Sequence, residues 1–229
     1  MSERPPLPLA RHRVTVRALA LLGCAAIATS LACTTAYYGA MEKIGKQKRH
    51  ILADRVEAGR ADQQAAQEQF ETTLERFQAA TKFKGGDLEK TYRELDAEYQ
   101  QCEKRAQAVR SRIASIEDVS SDLFDEWNDE IGEITSKDLK QRSQAQRKET
   151  MARYQKLIDA MQRAAKKMDP VLAAFRDQVL FLKHNLNAAA IASLRGDVVE
   201  IESDVDALIR DMQASIREAD AFLATLENP

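Results

Sequence analysis

Four carboxylates, Asp125, Glu126, Asp129 and Glu130, crowd one stretch of the run LFDEWNDE. Oxygen ligands within a helical turn of each other suit weak binding of a hard divalent cation. The same run is more often a solvated helix face, and that is the reading preferred here. Other reactive side chains are sparse: three cysteines (Cys24, Cys33, Cys102) and three histidines, of which only His50 and His184 lie beyond the first thirty-odd residues. No histidine-rich metal site can form from these. The chain has no GxxxxGK[ST] phosphate loop, no GxSxG elbow, no HExxH pair and no CxxC. Catalysis needs an acid, a base or a nucleophile that converge, and none do here. The sequence therefore predicts no enzyme, no cofactor and no metal.

The chemistry it does suggest lies at the N-terminus. Arg4, Arg11, Arg13 and Arg17 precede an uncharged stretch, ALALLGCAAIATSLA, from Ala18 to Ala32. A basic leader, a short apolar core and small residues before a cut site describe a secretory signal. The stretch is shorter than the ~20 residues of a spanning helix, although an N-terminal membrane anchor remains the alternative. Leu31-Ala32-Cys33 resembles the lipobox of bacterial lipoproteins, with Ser30 where leucine is usual. That resemblance implies cleavage after Ala32 and acylation of Cys33. Leu21-Leu22-Gly23-Cys24 matches the box more closely, but it leaves too short an apolar core after Arg17. Several acyl chains would anchor the protein stably. Tyr37 and Tyr38 then fall at headgroup level. Lys43, Lys46, Lys48 and Arg49 follow as candidate membrane-proximal contacts, each contributing about 1 kcal/mol near an anionic surface. A solvated helix face explains those four cations equally well, since Glu42, Asp54 and Glu57 lie close by.

The leader holds four bases and one acid of the chain's 34 basic and 36 acidic residues, so the remainder has 30 and 35. A mildly acidic chain without a basic face is no partner for nucleic acid. With Cys24 removed and Cys33 acylated, Cys102 is the lone thiol, and no disulfide framework is possible.

Few glycines and prolines, with abundant Ala, Glu, Gln, Lys and Arg, predict long helices. The first runs from near Tyr37 to about Phe83, on a stripe of Ile44, Ile51/Leu52, Val56, Ala66, Phe70, Leu74 and Phe77, weakened by Gly59 and Gln63. Gly85-Gly86 suit a helix C-cap, and Asp87 an N-cap. The second helix carries a heptad seam: Leu88, Tyr92, Leu95, Tyr99, Cys102, Ala106, Val109, Ile113, Ile116, Ser120, Leu123, Trp127. Cys102 reads as a packed core residue of that seam. Thr135 to Asp138 has capping-box spacing and opens a third helix, on Met151, Tyr154, Ile158, Met161, Ala165 and Met168. Asp169-Pro170 is expected to open a fourth, which breaks near Asn185 to Asn187. Asn187 caps a short AAAIASL turn, and Arg195-Gly196-Asp197 opens the last helix. Its stripe is Val198, Ile201, Val205, Leu208, Met212, Ile216, Ala219, Leu223 and Leu226. The expected fold is all-α: an elongated bundle of about five helices with a long antiparallel coiled-coil hairpin. Four segments are expected: a signal peptide at 1–32, a tether at 33–40, the hairpin at 41–134 and a three-helix part at 135–229.

CTTAYYGAMEKIGKQKRHILADRVE, the GGDLE turn, LFDEW and KKMDPVLAAFRDQVLFLKHNLNAAAIASL together resemble the domain-of-unknown-function family 2959. These are bacterial lipoproteins or exported proteins, and the resemblance covers the whole chain after the leader. It implies Cys33 as the acylated residue, because the family cysteine sits just before AYY. It implies no activity and no cofactor. Thr34 after the cysteine implies sorting to the outer membrane, facing the periplasm. The expected function is a lipid-anchored adaptor of the envelope, contacting another envelope protein or itself. The alternative is a bundle that binds lipid or a small ligand between its helices. In the fourth segment Leu172, Phe175, Val179, Leu182 and Leu186 already form a full core stripe. Leu180 and Phe181, with Ala173, Asp177 and His184, form a second side. That side is expected either to lie buried as core or to carry the partner-binding face.

Overall fold

The computed structural model describes residues 48–82, 87–185 and 187–227. The signal, Cys33, Tyr37, Tyr38, Lys43, Lys46 and Gly85-Gly86 lie outside them. Four helices follow: α1 (Lys48–Thr81), α2 (Leu88–Glu133), α3 (Lys137–His184) and α4 (Ala188–Glu227). Among the described residues there are thus four where the sequence suggested five. Each helix packs on the two beside it, with α1 against α4 closing the ring. Asp62–Arg112, Arg110–Asp169, Lys167–Asp211 and Arg60–Asp220 link successive pairs in opposed directions. The unit from Lys48 onward is an up-down-up-down four-helix bundle. Helices of 34 to 48 residues rise about 50 to 70 Å, so the bundle is elongated.

Both missing breaks have the same cause. Pro170 lies within α3, on an exposed position, flanked by the buried Met168, Val171 and Leu172. Its lost N–H faces water, while its neighbours hold one continuous stripe in the core. The same holds at Gly196, which is exposed between the buried Leu194 and Val198. Nothing lies within 4 Å of where its Cβ would stand. Caps close the true ends. Asp87 accepts from Lys90 N at 3.1 Å and Asn187 from Ala190 N at 2.9 Å, both as expected. The cap of α3 is Ser136, accepting from Leu139 N at 3.4 Å, one residue later than the box predicted.

The core runs along the axis. Phe175 of α3 stacks on Phe77 of α1 at 5.0 Å, with Phe70 beyond at 6.3 Å. Nearer Lys48, Tyr154 touches Phe124 and Phe222 edge-on. Gly59 is buried where α1 approaches most closely: a Cβ there would sit 2.8 Å from Met161 Cε and 2.9 Å from Ile116 Cδ1. Most seam positions hold; those of α2 and α4 drift toward the helix ends, and that of α3 shifts by one residue in places. In α2 the burial passes from Ile116 to Val119, Ser120, Phe124 and Ile131, leaving Leu123 and Trp127 half-buried. In α4 Ser215 and Phe222 are buried instead of Ile216 and Leu223. In α3 Leu157 and Ala164 take core places, while Met151 is exposed. A straight helix turns about 20° per heptad away from a strict 3.5 repeat.

Candidate functional site

Along the α2/α3 seam, toward the end of the bundle away from Lys48, lies a groove of about 520 Å³ lined by both helices. Tyr92, Asp96, Tyr99, Gln100 and Glu103 line its α2 side, and Arg176, Val179, Leu180 and Lys183 its α3 side. Heptad spacing puts them there. Tyr92 and Tyr99 are seam positions, and the acids Asp96 and Glu103 follow each by four, on the rim facing α3. Arg176 and Lys183 likewise flank Val179 at three and four residues. One rim is therefore acidic and the other basic with the exposed Leu180, over a floor of tyrosine and Val179. The four charged residues form no ion pair among the described residues.

Tyr99 joins floor to rim. Its ring is buried, and its hydroxyl donates to the Glu103 carboxylate. Burial, then that bond and the negative charge of Glu103, push the phenol up to about 12, while Arg176 opposes the shift. Across pH 7 the groove thus holds a neutral phenol between its acidic and basic rims. Such an arrangement can bind and orient a partner.

The expected partner face is exposed throughout: Ala173, Asp177, Leu180, Phe181 and His184 all lie open, Leu180 and Phe181 each at 43%. The expectation that this side is core does not hold. The groove takes in Leu180 but not Phe181, which sits about 100° further round α3. The structure therefore divides the expected face. The charged rims were not singled out from sequence. Their signal is opposite charge at a spacing of seven on two helices, and it is legible only once those helices are known to be neighbours.

Lys48 and Arg49, expected near the membrane, are held by the bundle. Lys48 bonds Glu126 at 3.0 Å, and Arg49 donates to the Leu226 carbonyl at 2.7 Å. Glu126 belongs to the carboxylate run, whose other members Asp125, Asp129 and Glu130 are exposed. No group of three or more His, Cys, Asp or Glu among the described residues is placed to hold a metal ion. No helix among them is long and apolar enough to cross a membrane. Cys102 is buried, with Sγ 3.1 Å from Thr73 Oγ1 on α1. Burial pushes its thiol up to about 12, only partly offset by the Thr73 bond.

A family model described as "Protein of unknown function (DUF2959)" matches residues 37–226. No curated protein and no solved structure matches the chain.

Proposed function

The chain belongs to the DUF2959 family, and from that premise we propose a lipid-anchored, non-enzymatic adaptor of the bacterial envelope. Cys33 carries the lipid on the periplasmic face of the outer membrane, and the bundle presents a docking groove at its far end. One observation carries this reading: the open α2/α3 groove with Leu180 on its rim lies well along the bundle from Lys48, where the chain enters. The Arg76–Glu98 ion pair sets the groove level with the C-terminal part of α1, about 40 Å from Lys48 at 1.5 Å per residue. An adaptor needs its contact set well apart from the residue at which a tether would join the bundle. The rival reading, a ligand held inside the bundle, is disfavoured by the stacked phenylalanines and the close approach at Gly59, which fill the axis.

The test is made in cells. Cys33→Ala should abolish acyl labelling and leave unprocessed precursor, while Cys24→Ala should leave a mature, membrane-bound product. A photo-crosslinking residue at position 180 should capture a protein, whereas the same residue at exposed Lys104, on α2, should not. Loss of acylation in Cys24→Ala alone would overturn Cys33 as the acylated residue. An empty position 180 would overturn the groove.

A further inference from the structure

We infer that the occupant of this groove is a second copy of the chain, docked side by side and pointing the same way. The inference rests on the docking reading above and adds the partner's identity. Within one chain, Arg110 pairs with Asp169 and Gln162 donates to Glu117, so these residues stand at equal heights on α2 and α3. One heptad further along, Glu103 comes level with Arg176, and one more brings Asp96 level with Lys183. At these two levels the groove intervenes, and the charges form no ion pair among the described residues. A two-fold axis parallel to the helices lays α2 of one copy over α3 of the other at the same height. Asp96 then faces Lys183 of the second copy, and Glu103 faces its Arg176. Each contact occurs twice, and Leu180 is set against the Tyr99 level of the other copy. The antiparallel arrangement lays α2 on α2 and opposes Asp96 to Glu103, acid against acid. Charge therefore selects the parallel pair, in which both Lys48 ends point the same way, as two chains tethered to one membrane require. Exposed ion pairs are individually weak and fade with salt. Confinement to one membrane raises the effective concentration that such a contact needs.

Two full-length chains with different tags, co-expressed and purified on one tag, provide the test. The wild-type pair should co-purify at low salt and separate at high salt. Asp96→Lys/Glu103→Lys makes all four groove charges basic, and Arg176→Glu/Lys183→Glu makes them all acidic. Each variant paired with itself should lose about tenfold or more of the co-purified tag. The two variants paired with each other should recover it, which no effect within a single chain can produce. Circular dichroism melts of each variant confirm that the bundle is folded. Wild-type chains that never co-purify, or variants that co-purify regardless of charge, overturn the inference. So does a mixed pair that fails to recover while both variants melt normally. Should position 180 capture a different protein and never its own chain, the second copy is refuted and the adaptor reading stands. Should it capture nothing, both fall.

Discussion

Cys102 has the features of an inert thiol: no exposure, a hydroxyl from α1 against its sulfur, and an ionisation pushed up to about 12. Thiol reagents attack the thiolate, so the folded protein should label only after denaturation, and rapid labelling of native protein would refute this placement. The pH dependence has a definite sign. The folded thiol ionises later than the unfolded one, so the stability it contributes is complete below about pH 8.5 and is lost as pH climbs toward 12. Urea melts of the wild type should therefore weaken more steeply above pH 9 than those of Cys102→Ala, since Tyr99 titrates alike in both. Gly59 makes the opposite kind of demand, for space. In Gly59→Ala the gain in helix propensity, up to ~1 kcal/mol, roughly offsets the shift forced on Met161 and Ile116. Gly59→Leu has nowhere to go and should lose about 1–3 kcal/mol or more in a thermal melt.

At the scale of elements, Pro170 is the sharpest case of tertiary packing overriding local preference. Proline in a helix interior costs ~3 kcal/mol, and the burial of Met168, Val171 and Leu172 on either side carries α3 through it. Pro170→Ala restores a backbone donor on an exposed face, so it should raise stability by about 1–3 kcal/mol in a melt with unchanged helix content. Periodicity made the helical class, the four core stripes, the Asp87 and Asn187 caps and the burial of Cys102 legible. It could not tell a proline that starts a helix from one that sits inside it, because both present the same letters. Nor could it follow the seam to the ends of α2 and α4, where the twist of a straight helix replaces Leu123 with Phe124 and Ile216 with Ser215. Half of the groove was legible, as Leu180 lying off the core stripe. The other half, Asp96 and Glu103, lies some eighty residues earlier in sequence, and only the pairing of α2 with α3 brings it alongside.

The molecule as a whole closes through α1 and α4, the pair most distant in sequence, and this seam carries an unsatisfied polar layer. Both amide atoms of Gln63 on α1, and the hydroxyl of Ser215 on α4, are buried without a hydrogen-bond partner among the described residues. The Arg60–Asp220 ion pair sets the two residues at nearly the same height. A buried polar group left unpaired costs about 1–3 kcal/mol, so Gln63→Leu, similar in volume, should raise the melting temperature. A fall would mean that the amide makes bonds this arrangement does not contain. The same seam brings the two ends of the described chain together, through Arg49 and the Leu226 carbonyl. That proximity has a mechanical consequence. Tension between Lys48 and residue 226 peels α1 from α4 one contact at a time, beginning at Arg49. Tension between Lys48 and the groove instead runs along the helix axes and loads α1 in shear. Ile51, Val56, Phe70 and Phe77 must then all slip together. A single bundle pulled from residues 48 and 180 should therefore rupture at a clearly higher force than one pulled from 48 and 226, so a load carried from Lys48 to the groove meets the bundle along its strong direction.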